Sequence, residues 1–145
     1  MGTKSNVEQL NSFLRGEISA VETYQMALGR LDEISTARDE VLVCLKSHQD
    51  RVMMLTDAII ALGGEPAKSS GPWGVFAKVV EGTAKVLGDK ATIAALEEGE
   101  DHGMKEYRVD HLKDLEPPTR DLVVDKLLPM QKKTHATMSA LKHRS

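Results

Sequence analysis

The chain has 145 residues, a formal net charge of -3 and a sequence pI near 5.9. A single domain of this size can bury a core without staples, and its mild acidity gives no electrostatic reason to expect nucleic acid. Aromatics make up only 3% of residues while Ala, Leu, Val and Met abound, a palette for helix packing rather than sheets. The single Cys44 excludes an intrachain disulfide and fits a reducing compartment. Met1-Gly2-Thr3-Lys4-Ser5-Asn6 is not signal-like, and no apolar run approaches the roughly 20 residues of a membrane span. The expectation is a soluble, cytoplasmic, all-α domain over residues 1–145.

Four helices are predicted in chain order. Leu10, Glu17, Tyr24 and Leu31 recur every seven residues, with Leu14, Val21 and Leu28 four further on, which predicts a helix from about Val7 to Leu31. In the second, Val41, Leu45, His48, Val52, Leu55, Ile59 and Leu62 alternate steps of four and three, and Gly63-Gly64-Glu65-Pro66 ends it with a glycine cap and a proline. The third carries Ile93, Leu96, Glu100, Gly103 or Met104, and Tyr107, and ends near Leu115 before Glu116-Pro117-Pro118. The fourth opens with Thr119 as cap and shows Val124, Leu128, Gln131, His135, Met138 and then Leu141 or Lys142. Pro129 predicts a kink or a restart within it.

Short joints around Glu33–Thr36 and at the Pro pair fold these helices into two antiparallel hairpins. Between the hairpins, residues 64–90 are too long for a turn. Trp73, Val75, Phe76, Val79, Val80, Ala84, Val86 and Leu87 there read as a crossover containing a short amphipathic helix. Two hairpins joined by one long crossover is the connectivity of ferritin-like bundles. The apolar side of Trp73–Leu87 also suggests a homodimer through that segment.

A polar phrase is spoken twice within this apolar pattern. Gly16-Glu17 is followed by Tyr24 and Gly99-Glu100 by Tyr107, each Tyr seven residues after its Glu. Lys46-Ser47-His48 is echoed by Lys133-Thr134-His135. Each helix thus sets one metal-competent residue in its seam: Glu17, His48, Glu100 and His135. Carboxylates buried without partners cost several kcal/mol, so four such residues need each other or an ion. Two carboxylates and two imidazoles suit iron, manganese or zinc. A hydrogen-bonded Glu-His-Tyr network that only sets helix register accounts for the same residues. Tyr24 and Tyr107 are placed as hydrogen-bonding supports of either arrangement, and Gln131 and Glu97 stand one turn from His135 and Glu100. Gly16 and Gly99 suggest close helix approach beside the layer. His102, His111 and His143 read as solvated, and Cys44 as a small buried thiol.

Leu62-Gly63-Gly64-Glu65-Pro66, and Glu97-Glu98-Gly99-Glu100-Asp101 followed by Lys105 and Tyr107, resemble a small bacterial family of ferritin-like four-helix bundles with no assigned activity. The resemblance covers nearly the whole chain, including the Gly/Ser-Pro linker and Trp73. The wider ferritin-like group implies a di-iron site, with a lone Glu on two helices and Glu-x-x-His on the other two. Glu17 and Glu100 match the lone carboxylates, and His48 and His135 the histidines. Leu45 and Lys132 stand where the remaining carboxylates belong, which leaves at most one metal. The spacing departs too: Glu17 to His48 is 31 residues and Glu100 to His135 is 35, a difference of about one turn. The expected function is metal binding at a reduced Glu/His site, linked to oxidative or metal stress. The alternative is a non-catalytic structural or protein-interaction bundle that has lost its metal.

Overall fold

A computed structural model of the chain describes residues 3–32, 35–71, 88–108 and 112–144. Trp73–Leu87, with the short helix and the dimer contact expected there, and His111 lie outside the described residues. The described residues form helices and connections with no strand, and none of the helices is long and apolar enough to cross a membrane.

Helix α1 spans Thr3–Arg30 and α2 spans Arg38–Ala61. Leu62 caps α2, and Gly63 then takes φ 81°, the left-handed conformation that lets the Gly64 amide return to the Ile59 carbonyl at 2.9 Å. Gly64 must itself lack a side chain, because a Cβ there would lie 2.7 Å from Val7 Cγ1 of α1. Helix α3 spans Asp89–Glu106. The fourth rod runs as α4 (Pro117–Leu122), one π-helical turn (Val123–Leu127) and α5 (Leu128–Arg144).

The π-turn is the consequence of Pro129. Proline has no amide hydrogen, and its ring collides with the carbonyl four residues back in an α-helix. Widening the preceding turn relieves that collision, and the Leu128 amide bonds to the carbonyl of Val123, five residues earlier. The helix therefore continues across the proline instead of stopping.

Packing pairs α1 with α2 and α3 with α5. Tyr24 reaches Glu100 while Glu17 reaches Tyr107, so α1 and α3 run antiparallel. Arg51 meets Thr134 while Glu40 meets Arg144, so α2 and α5 do likewise. It follows that α2 and α3 point the same way, and the two hairpins are joined end to end of the bundle rather than by a tight turn. Two apolar clusters fill the interior. One gathers Ala27, Leu31, Val41, Leu45, Ile93, Leu96, Met138 and Leu141; the other gathers Leu10, Phe13, Leu14, Leu55, Ile59, Leu112, Leu115, Val123 and Leu127. Between them lies a polar layer, with Tyr24 belonging to the first cluster and Tyr107 to the second.

Candidate functional site

The layer draws one carboxylate from each of α1 and α3 and a polar pair from each of α2 and α5. Helix α1 supplies Glu17, α3 supplies Glu100, α2 supplies His48 and Arg51, and α5 supplies Gln131 and Thr134; all are buried. His48 sits between the carboxylates, with Nδ1 2.6 Å from Glu17 Oε1 and Nε2 2.7 Å from Glu100 Oε2. Carboxylate oxygens only accept, so each ring nitrogen facing one carries a proton and the ring is an imidazolium. Arg51, 0% exposed, donates to Glu17 Oε2 at 3.3 Å, to Thr134 Oγ1 at 2.8 Å, to Ser47 Oγ at 3.0 Å and to Gln131 Oε1.

The tyrosines cross over. Tyr24, on the helix of Glu17, donates to Glu100 at 2.6 Å, and Tyr107, at the C-cap of the helix of Glu100, donates to Glu17 at 2.6 Å. Glu100 Oε1 also accepts from Gln131 Nε2 at 2.9 Å and from the Thr134 hydroxyl at 2.7 Å. Two carboxylates thus face two cations and sum to zero charge inside the core. Among the described residues, Arg51 Nε is the one buried side-chain polar atom of the layer without a partner.

The electrostatics follow from this arrangement. Burial alone would raise the Glu17 carboxyl, but the Arg51 guanidinium and then His48 outweigh it and hold the group down to about 2. Burial likewise opposes ionisation of Glu100, and His48 wins there too, lowering it. Burial disfavours the charged ring of His48, yet Glu17 and Glu100 raise its pKa above the ordinary value. Burial and then the carboxylate each one serves push the phenols of Tyr24 and Tyr107 well above their ordinary range. Burial and the Glu100 charge push the Cys44 thiol up to about 12, so it is no nucleophile at neutral pH.

Of the four residues expected to converge, Glu17, His48 and Glu100 do, and His135 does not. The buried seam of the fourth rod is Leu127, Gln131, Thr134, Met138 and Leu141, so Leu127 and Thr134 stand where the expected pattern has Leu128 and His135, each one residue later. His135 instead lies partly exposed beside α3, its Nε2 2.5 Å from Asp101 Oδ1. Glu97 joins this second group rather than the layer: one ligand atom each from Glu97, Asp101 and His135 lie within 4.8 Å of one another, with Lys142 Nζ 3.6 Å from Glu97. Gln131 is in the layer as a full member. Arg51 and Thr134 complete the layer beyond the expected residues. The signal for them is in the spacing: His48 and Gln131 each follow their Glu by 31 residues, and Arg51 and Thr134 each by 34. The two hairpins are therefore in register, with Gln131 as the counterpart of His48.

On α3 the close approach expected at Gly99 falls at Gly103 instead. A Cβ on Gly99 would meet nothing within 4 Å, whereas one on Gly103 would lie 2.5 Å from Gln131 Nε2. Over the layer, a cleft of about 60 Å³ opens between α1 and α3, walled by Phe13, Ala20, Thr23, Leu96, Gly99 and half-buried His102.

No protein-family model, curated protein or solved structure matches this chain. A cation fits the polar layer poorly: both His48 nitrogens are engaged, and the Arg51 guanidinium already occupies the space between Glu17, Gln131 and Thr134.

Proposed function

We propose that this chain is a ferritin-like bundle without catalytic chemistry, a structural or interaction module whose carboxylate layer is neutralised from within. The observation that carries this reading is the position of Arg51. Its fully buried guanidinium contacts Glu17, Gln131 and Thr134, and together with the imidazolium of His48 it balances both carboxylates. In a metal-binding bundle a dication supplies that balance; here two side chains do. The antiparallel pairing of α1 with α3 and of α2 with α5 supports the ferritin-like connectivity. A cytoplasmic location is part of the proposal, in keeping with the reduced Cys44.

A second reading has its own observation. Glu97, Asp101 and His135 form a half-buried group on α3 and α5, and two carboxylates with an imidazole suit zinc, manganese or iron. Binding there would leave the layer untouched. Metal content measured on protein grown with added iron, manganese and zinc separates the readings. The proposal predicts no metal whose retention depends on Glu17 or Glu100: any ion found survives Glu17→Gln/Glu100→Gln and is lost in His135→Ala. Stoichiometric metal abolished by the double Gln variant would overturn it.

A further inference from the structure

Among the described residues, five large apolar side chains are exposed, and four of them are on α2: Leu42 at 46%, Val43 at 63%, Met53 at 65% and Ile60 at 58%. The remaining one, Val124, is on the π-turn. Helix α2 thus has two working faces. Val41, Cys44, Leu45, His48, Arg51, Leu55 and Ile59 face inward. Outward, Val43, Lys46, Asp50, Met53, Asp57 and Ile60 recur at steps of three and four, the spacing of a two-helix seam. Val43, Met53 and Ile60 thus set exposed apolar side chains into this row between charged ones.

We infer that the outer face of α2 is a self-association surface that pairs with α2 of a second copy of this chain in antiparallel orientation. The charges choose both the partner and the direction. In a parallel pair each seam residue meets its own copy, which sets Lys46 against Lys46, Asp50 against Asp50 and Asp57 against Asp57, three like-charge layers. Turned antiparallel about a two-fold axis level with the Arg51–Val52 peptide, the same face is complementary to itself. Val43 then meets Ile60, Lys46 meets Asp57, and Met53 lies across from Asp50, whose charge is held by its own Lys46 at 2.7 Å. Beside the seam runs a groove of mixed character, in which Ile18 and Val21 of α1 join Val52 and Met53 while the other half of the lining is polar or charged. Seventeen residues separate Val43 from Ile60, so at 1.5 Å per residue the seam is about 25 Å long.

This names a partner for the interaction bundle proposed above and rests on that reading only for its purpose. The oligomer is measured separately from metal content, so failure of one is distinguishable from failure of the other. The test is sedimentation equilibrium of the full chain with four variants, each checked for helical content by circular dichroism. Wild type is expected to be a dimer. Met53→Glu is expected to be monomeric, and Lys46→Glu and Asp57→Lys each to weaken the dimer about tenfold or more. The triple variant Lys46→Glu/Asp50→Lys/Asp57→Lys restores, with signs reversed, both the opposite-charge layers and the pair within each helix, and should recover the wild-type dissociation constant within about threefold. A monomeric wild type, a dimer indifferent to Met53→Glu, or a charge swap that fails to recover affinity would each overturn the antiparallel α2 pairing.

Discussion

Arg51 shows how much a single side chain can decide. It is 0% exposed, yet it holds Glu17, Ser47, Gln131 and Thr134 together across the α2–α5 contact. Burying a pair of charges gains little against an apolar core of the same volume, but removing one partner leaves the other stranded. Arg51→Met is therefore expected to destabilise the fold by about 3–5 kcal/mol, read as the shift in urea unfolding free energy. The cost comes from Glu17, left with His48 and Tyr107 alone to offset its desolvation. Arg51→Met combined with Glu17→Gln should recover part of the loss. A double variant as unstable as the sum of the two singles would mean that the residues do not act as a pair.

At the scale of the elements, the two glycines of α3 behave oppositely. Gly99 faces open cleft, so Gly99→Ala should stabilise by up to about 1 kcal/mol through helix propensity alone. Gly103 is covered by the Gln131 amide, which donates to the Glu100 carbonyl at 2.9 Å. Gly103→Ala must displace that amide and should destabilise despite the better propensity, and thermal unfolding of the two variants checks the contrast. The same elements show what could be read from the chain. The existence of four long helices, the glycine stop after α2 and the convergence of Glu17, His48 and Glu100 were legible, because periodicity reports which face is buried; the bounds were not, since α3 ends at Glu106 rather than near Leu115 and α4 is capped by Glu116 with Thr119 inside it. His135 misled because it completes a verbal echo, Lys-x-His, that lies one residue out of phase with the α5 seam. Thr134 carries no chemical signature, and Arg51 reads as a solvated charge until its 34-residue offset from Glu17 is set beside that of Thr134 from Glu100. The effect of Pro129 was legible as a disturbance but not as a π-turn, because a kink, a restart and a widened turn all relieve the same collision of its ring.

Across the whole molecule, the polar layer makes stability a function of pH with two limbs. Glu17 is depressed from 4.5 to about 2 and Glu100 is lowered as well. Their contribution is present above about 4.5 and is lost as the pH falls toward 2. His48 is raised from 6.5, so its contribution is complete below that value and is lost as the pH climbs through the raised one. Both tyrosines, raised above 10, extend the loss on the alkaline side. The stability maximum belongs between these limbs, from about pH 4.5 to 6.5, where both carboxylates and both cations are charged. Two apolar clusters are thus joined through a layer whose cohesion is set by protons.

The central claim, that this layer is closed by its own cations, is tested most directly at the His48 ring. Nitrogen-15 shifts of the imidazole, followed from about pH 5 to about pH 9 alongside the urea midpoint and repeated with added zinc, report both protons. Both ring nitrogens should be protonated at pH 6.5 and unmoved by zinc, and the midpoint should fall as higher pH removes the first proton. A ring already neutral at pH 6.5, or one that gives up a proton to bind zinc, would contradict the account.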